Sequence, residues 1–273
     1  MSAPVGLIAG CGRFPHELAR LAAARGHRLL AFGLAGLVEP GLEAETETFR
    51  EVPLGQLAML FGLLHDAGVK QVVMAGKVPK TFLYQNADRA QPDARALELL
   101  GSLADRSDDS ILGIFAEALA EEGFELLGQA ELAPELWAPE GPIAGPPASS
   151  EQLADASFAW PIAKALGRVD VGQTVVVENR AVLALEAIEG TDEAIRRGCA
   201  LGRGGALVVK VAKPEQDLRF DVPAIGRDTI ETLARGGASG LAVEAGHVLL
   251  LDRADLEKAA AEAAITVFGM AGP

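Results

Sequence analysis

The most constraining feature of the chain is an alternation in its first half. Short β-branched or apolar runs are each followed by a longer segment with apolar residues at helical spacing. This is the signature of βαβ units wound about a mainly parallel sheet. Residues 6–10 read as a first strand. Pro15 then stands where a first helical residue would, and Leu18, Leu21 and Ala22 continue on one helical face until Gly26 stops it. Residues 28–33 and 49–53 read as strands, 56–67 as a helix, and 71–76 as a strand ending in Gly-Lys. Helices follow over 92–103 and from Asp108-Asp109, the latter carrying Ile111, Leu112, Ile114, Phe115 and Leu119 before Gly123 ends it.

Beyond Leu132 the composition shifts to Pro, Gly, Ala and Ser, with Pro134, Pro139, Pro142, Pro146 and Pro147. Such a stretch predicts an interdomain connection. In the second half, residues 173–178 and 181–187 read as strands joined by Asn179-Arg180, a short hairpin. A helix from 191, a strand at 206–211, a helix near 227–235, a second strand pair within 240–251, a helix from 253 and a strand at 265–268 complete it. The expected class is α/β. An N-terminal Rossmann-like parallel-sheet domain would span 1–131, a Pro/Gly-rich linker 132–158, and a C-terminal α+β domain 159–273.

Composition removes several functions. The chain carries 24 Lys and Arg against 38 Asp and Glu, a formal charge of −14, whereas a phosphate backbone selects a basic face, so no nucleic-acid partner is expected. Cys11 and Cys199 are the two cysteines, and no charged segment followed by an apolar run opens the sequence. A cytoplasmic protein is expected, not a disulfide scaffold. The longest apolar stretches, 5–9 and 247–251, fall far short of the roughly 20 residues that cross a bilayer. Membrane contact is therefore expected to be peripheral at most.

Gly10-Cys11-Gly12-Arg13-Phe14-Pro15 follows a strand and opens a helix, where backbone amides and the helix dipole can hold an anion. The dinucleotide fingerprint wants a third glycine where Pro15 stands and an acidic residue ending the second strand, and residues 28–36 supply none. A phosphate cradle, a plain tight turn and a nicotinamide site all remain open. Cys11 reads as a small packed residue, since no histidine has an evident pairing with it. Lys77 and Lys80 follow the fourth strand and could face the same anion, ligands of open α/β sheets lying beyond the carboxyl ends of strands. His16, His27, His65 and His247 are scattered without ligand-like spacing, so zinc is not indicated.

Three clusters mark the second half: Glu186 to Asp192, Lys210 with Lys213, and Arg219 to Pro223. Glu186 ends a strand, Gly190 permits a bend, and Thr191 or Asp192 would cap the helix that follows. Asp221 lies in a nearly apolar extended segment, where it is ion-paired with Arg219, turn-bonded, or functional. Carboxylates beside lysines are what magnesium-dependent phosphoryl transfer requires, hard oxygens for the ion and cations for the transferring group.

The run from Gly172-Gln173-Thr174 through Glu186-Ala187-Ile188-Glu189-Gly190-Thr191-Asp192, the later Arg219-Phe220-Asp221-Val222-Pro223-Ala224-Ile225-Gly226 and the opening Leu7 to Pro15 resemble the UDP-2,3-diacylglucosamine pyrophosphatases of lipid A biosynthesis, in their two-domain form. Ala75-Gly76-Lys77-Val78, Asp108-Asp109, Gly123-Phe124 and Gly240 to Gly246 support the likeness, which spans essentially the whole chain. Cys11 departs from the glycine expected there.

The resemblance implies a cytoplasmic hydrolase, peripheral to the inner membrane, that uses Mg2+ (or Mn2+) to cleave the pyrophosphate of UDP-2,3-diacylglucosamine by water attack at the α-phosphorus. UMP and 2,3-diacylglucosamine 1-phosphate, lipid X, would be the products. It implies an active site in the interdomain cleft and a homodimer. Asp221 matches the essential aspartate of the family. With Asp192, and Glu189 in reserve, it would hold the metal or orient water. Lys77 and Lys213 would neutralise phosphate oxygens, Thr191 would bond phosphate or cap its helix, and Gly10, Gly12, Lys80, Gln173 and Arg219 would contact substrate. A nucleotide-dependent oxidoreductase and a non-enzymatic nucleotide- or lipid-binding protein are the alternatives.

Overall fold

The computed structural model describes residues 3–78, 92–102 and 108–273. Its contacts divide it into two units, Met1–Pro134 with Arg219–Asp221, and Glu135–Leu218 with Val222–Pro273.

The first unit contains β1 (Pro4–Ala9), α1 (Phe14–Ala24), β2 (Arg28–Leu34), β3 (Thr48–Val52), α2 (Leu57–Asp66), β4 (Gln71–Ala75), α3 (Ala94–Ser102), α4 (Asp108–Glu121), β5 (Glu125–Leu127) and the short α5 (Gln129–Leu132). Its sheet runs β3-β2-β1-β4-β5, and every neighbouring pair is parallel. That order is the doubly wound one, with its reversal point between β1 and β4. β1 is central because Val5 to Ala9 offers no polar side chain and is buried throughout, as a strand covered on both faces must be.

Pro15 sits in the first turn of α1, where a missing N–H is harmless, and Leu18, Ala19 and Ala22 form the buried face. Gly26, at φ +84°, ends the helix. From α2, Leu60, Phe61 and Leu64 enter a core with Ile8, Leu30, Phe32, Val72, Leu119 and Phe124, and Phe220 packs against the same cluster. Phe61 stacks on Phe115 at 6.3 Å and lies 6.4 Å from Phe124. Burying one such leucine contributes about 2 kcal/mol, and truncating the fully buried Leu64 to Ala removes about 2–5 kcal/mol.

The second unit contains β6 (Gly141–Ala144), α6 (Ser150–Arg168), β7 (Thr174–Glu178), β8 (Ala181–Leu185), α7 (Thr191–Leu201), β9 (Leu207–Lys210), β10 (Ala224–Ile225), α8 (Arg227–Gly236), β11 (Gly240–Glu244), β12 (Leu249–Leu250), α9 (Arg253–Glu262) and β13 (Thr266–Met270). The main sheet is mixed, in the order β6-β13-β11-β9-β7-β8, with β9, β11 and β13 parallel and β6, β7 and β8 each antiparallel to its neighbour.

Side-chain alternation sorts the sheet into two faces. Val175, Val177, Leu207, Val209, Ala242 and Phe268 pack on Ala156, Ala159, Trp160 and Ala163 of α6. Val176, Val208, Leu241, Val243 and Val267 pack instead on Ile195, Ile230, Leu233 and Leu256 of α7, α8 and α9. The second unit is thus a three-layer sandwich.

Two expectations change. Residues 132–158, read as a linker, include strand β6 and the start of α6. Proline is tolerated in β6 because it is an edge strand, paired only with β13 (Pro142 opposite Phe268). The Ala and Ser content that mimicked a linker is a capped helix: Ser149 Oγ accepts from the Gln152 N–H at 3.2 Å, and Gln152 Oε1 accepts from the Ser149 N–H at 2.9 Å. The strands within 240–251 do not pair with one another. β11 lies between β9 and β13, while β12 pairs with β10 in a separate two-stranded sheet.

Candidate active site

In the first unit the reversal point is lined by the turns after β1 and β4, the place where open α/β sheets receive ligands. Here the two turns are zipped together. The Gly10 N–H donates to Ala75 O (2.9 Å), the Cys11 N–H to Lys77 O (2.8 Å) and the Lys77 N–H to Cys11 O (3.0 Å). Glycine is required on both sides, since a Cβ on Gly10 would stand 2.5 Å from Lys77 O and one on Gly76, at φ +89°, 2.8 Å from Cys11 O. The Gly10 and Cys11 amides expected to cradle a phosphate are therefore spent on this bridge. Gly12, at φ +92° with open space about it, and Lys77 are exposed beside it. Lys80 lies outside the described residues. Arg219, exposed, and Asp221, half-buried, are counted with this unit through the segment that carries Phe220.

In the second unit the polar groups gather at the carboxyl ends of β8 and β9. Thr174 starts the antiparallel β7 opposite Lys210 of β9, and the N–H of Glu186, the residue after β8, donates to Thr174 O at 2.9 Å. Three adjacent strands so present Lys210, Thr174 and Glu186 in one row, all more than nine-tenths buried. Thr191, the first residue of α7, joins the ends of the row. Its hydroxyl donates to Glu186 Oε1 (2.8 Å) and accepts from Lys210 Nζ (3.3 Å), which also donates to Ala224 O (3.0 Å). The Gln173 N–H donates to Glu186 Oε2 at 3.2 Å.

A buried ammonium and a buried carboxylate are tolerable only when paired and bonded in this way. Among the described residues, Gln173 Oε1 and Thr174 Oγ1 are buried without a partner, a state that carries about 1–3 kcal/mol for each group. Gly190, at φ +82°, is the N-cap of α7 and supplies no side-chain cap. The capping role expected of Thr191 or Asp192 is thus not seen, because Thr191 has turned its hydroxyl to Glu186.

The remaining expected residues of this unit stand apart from the row. Asp192 is exposed in the first turn of α7. Glu189 is held by Arg197 Nη2 at 2.6 Å, and the same nitrogen donates to Leu185 O at 2.7 Å. Hydrogen bonds from its own backbone and from Arg197 keep the Glu189 carboxyl below the ordinary carboxylate range. Lys213 lies three residues past Lys210, with Nζ 2.6 Å from Asp170 Oδ1. Among the described residues no three His, Cys, Asp or Glu side chains form a ready-made metal cage.

Sequence reasoning marked Glu186 and Lys210 without giving them a role, and it missed Lys164 and Glu244. Lys164 Nζ donates to both Glu244 oxygens (2.7 and 2.6 Å) and to Ala212 O (2.9 Å), and Glu244 Oε2 accepts the Ala212 N–H (2.8 Å). The available signal was a lone lysine on the alanine-rich face of α6 and a glutamate ending the apolar strand 240–244.

Fold and residues together define a two-unit α/β protein, a doubly wound parallel sheet and a mixed sheet with lysines and carboxylates at its carboxyl edge. The model of the LpxI N-terminal domain matches residues 4–136, and that of the LpxI C-terminal domain matches residues 139–268. A protein of Caulobacter vibrioides, the UDP-2,3-diacylglucosamine pyrophosphatase LpxI, is 35% identical over 277 residues that cover 97% of either chain. The chain belongs to the LpxI family.

Proposed function

We propose that this chain is a UDP-2,3-diacylglucosamine pyrophosphatase of lipid A biosynthesis, hydrolysing its substrate to UMP and 2,3-diacylglucosamine 1-phosphate. The observation that carries the reading is the 35% identity to the Caulobacter enzyme across 97% of both chains. Family membership also disfavours the oxidoreductase and the non-enzymatic readings, and the zipped turns leave fewer amides for a dinucleotide.

Lys77 and Lys213 neutralise phosphate oxygens, where cations aimed at developing charge act most strongly. Asp221 and Asp192 supply hard oxygen donors or orient the attacking water, Glu189 joining them only after release from Arg197. Gly12, Lys80, Gln173 and Arg219 contact substrate, and Gly10 serves by shaping its turn. Thr191 can donate to a phosphate oxygen only by turning its hydroxyl away from Glu186. Carboxylate oxygens are the donors Mg2+ prefers, and the ion binds through one or two of them plus substrate phosphates, needing no all-protein cage. When bound, the ion supplies charge neutralisation at the phosphates.

No helix among the described residues is long and apolar enough to cross a membrane. The proposed setting is the cytoplasm, peripheral to the inner membrane, with a homodimer as the assembly. A charge of −14 opposes attraction to anionic lipid, so burial of the acyl chains supplies the pull on the substrate.

The test is incubation with UDP-2,3-diacylglucosamine in oxygen-18 water, with and without Mg2+ or Mn2+, read by mass spectrometry. Metal-dependent UMP and sugar 1-phosphate are expected, and no product with either ion overturns the reading. Label in UMP marks attack at the α-phosphorus, the course the resemblance implies; label in the sugar phosphate marks the β-phosphorus instead.

A further inference from the structure

Four independent contacts converge on the short segment that follows β9. The Val211 N–H donates to Gln173 O (3.1 Å), and the Lys213 N–H to Gln216 Oε1 (2.9 Å). Between them, both polar groups of the Ala212 backbone are taken by charged side chains, its N–H by Glu244 and its carbonyl by Lys164. The segment is also pressed against α6, where a Cβ on Gly167 would stand 3.0 Å from Lys213 Cα and 3.1 Å from Pro214 Cδ. Val211 and Ala212 are buried, so their backbone polar groups need partners inside the protein. A charged pair engaged on both polar backbone groups of one residue, next to a lysine, is unusual for a plain connection.

The pair has nothing left to offer a ligand. Glu244 is 8% exposed, and Lys164 spends its ammonium hydrogens on two carboxylate oxygens and one carbonyl, with Nζ lying over the Trp160 ring 6.0 Å from its centre. His247 Nδ1, at 3.8 Å from Glu244, is beyond hydrogen-bond reach. The contacts of the pair fall on the backbone of Ala212, the residue before Lys213.

We propose that Lys164 and Glu244 are positioning residues for Lys213, an inference that rests on the reading of Lys213 as a phosphate-neutralising group. A charge-stabilising side chain displaced by about 1 Å loses on the order of 100-fold in rate. The pair therefore acts on turnover through Lys213 and not through the substrate.

The experiment is a double-mutant cycle on the full chain with Lys164→Met, Lys213→Ala and the double variant, measuring kcat and KM on UDP-2,3-diacylglucosamine. Lys164→Met is expected to lower kcat by about 10- to 100-fold with KM within about 3-fold, and to have no further effect once Lys213 is alanine. Lys164→Arg should recover part of the loss. Backbone hydrogen exchange of residues 211–216 gives a readout independent of activity: exchange should quicken in Glu244→Gln while the sheet strands stay protected.

Equal fold-losses for Lys164→Met in both backgrounds would show a general structural role and overturn the proposal, as would unchanged exchange in Glu244→Gln. Full activity of Lys213→Ala overturns it together with the role of Lys213. A wild-type chain that hydrolyses nothing refutes the proposed function alone, and the exchange measurement then decides whether the clamp exists. If Lys164→Met does not fold, Glu244→Gln, which keeps the shape of the pair and removes its charge, replaces it in the cycle.

Discussion

Gly10 and Lys77 meet backbone to backbone just beyond the carboxyl ends of β1 and β4: the space where Gly10 would carry a Cβ is occupied by the Lys77 carbonyl, 2.5 Å away. Gly10→Ala must force the two turns apart, and is expected to destabilise the fold by about 1–3 kcal/mol, as overpacking does. Gly12→Ala meets no neighbour and pays only for its positive φ, about 1 kcal/mol. Urea midpoints of the two variants check the order.

Asp221→Asn is expected to abolish turnover, with a loss on the order of 1,000-fold, while substrate binding and thermal midpoint stay near wild type. Initial rates together with calorimetric binding separate these quantities. Near-normal rates would remove Asp221 from the chemistry.

Glu189 provides a test in acid. Its folded carboxyl lies below its unfolded value of about 4.5, through its own backbone and Arg197, so its contribution to stability is present above that pH and is lost as the pH falls through the folded value. The difference in urea midpoint between wild type and Glu189→Gln should be small at pH 7, shrink in high salt, and vanish well below pH 4.5.

The two thiols should separate by reactivity. Burial, and then the Glu178 carboxylate, push the Cys199 thiol upward, whereas Cys11 is half-exposed. Ellman's reagent is expected to find one accessible thiol in the native chain, lost in Cys11→Ser, and Cys199 only after denaturation. The sign for stability is opposite to that of Glu189. The Cys199 contribution is complete below the unfolded thiol pKa and is lost as pH rises toward the folded one.

Asp155, 7% exposed, accepts the N–H groups of Asn179 (2.9 Å) and Arg180 (2.6 Å), the two positive-φ residues of the β7–β8 turn. Asp155→Ala leaves both amides without their acceptor and should cost about 2–4 kcal/mol. Exchange at residues 179 and 180 should rise first.

The same hairpin shows what was legible. Its strands and its Asn179-Arg180 turn follow from β-branched runs and turn residues that act within a few positions, but the carboxylate holding it comes from a helix 24 residues upstream. The doubly wound half was readable because its strands are buried on both faces and its helices are amphipathic. Segment 141–144 was not, since an edge strand tolerates the prolines that usually mark a linker. At the site, Thr191 and Gln173 drew attention by local motif. The meeting of Thr191 with Lys210, and of Lys164 with Glu244, depends on pairing across 19 and 80 positions and leaves no local trace.

Phe220 belongs to the core of the first unit although the chain on either side of it belongs to the second. A fragment ending near residue 134 would therefore lack a piece of its own hydrophobic interior, and a fragment beginning there would carry a foreign aromatic. Complementation of such halves in trans would have to restore an interlaced chain.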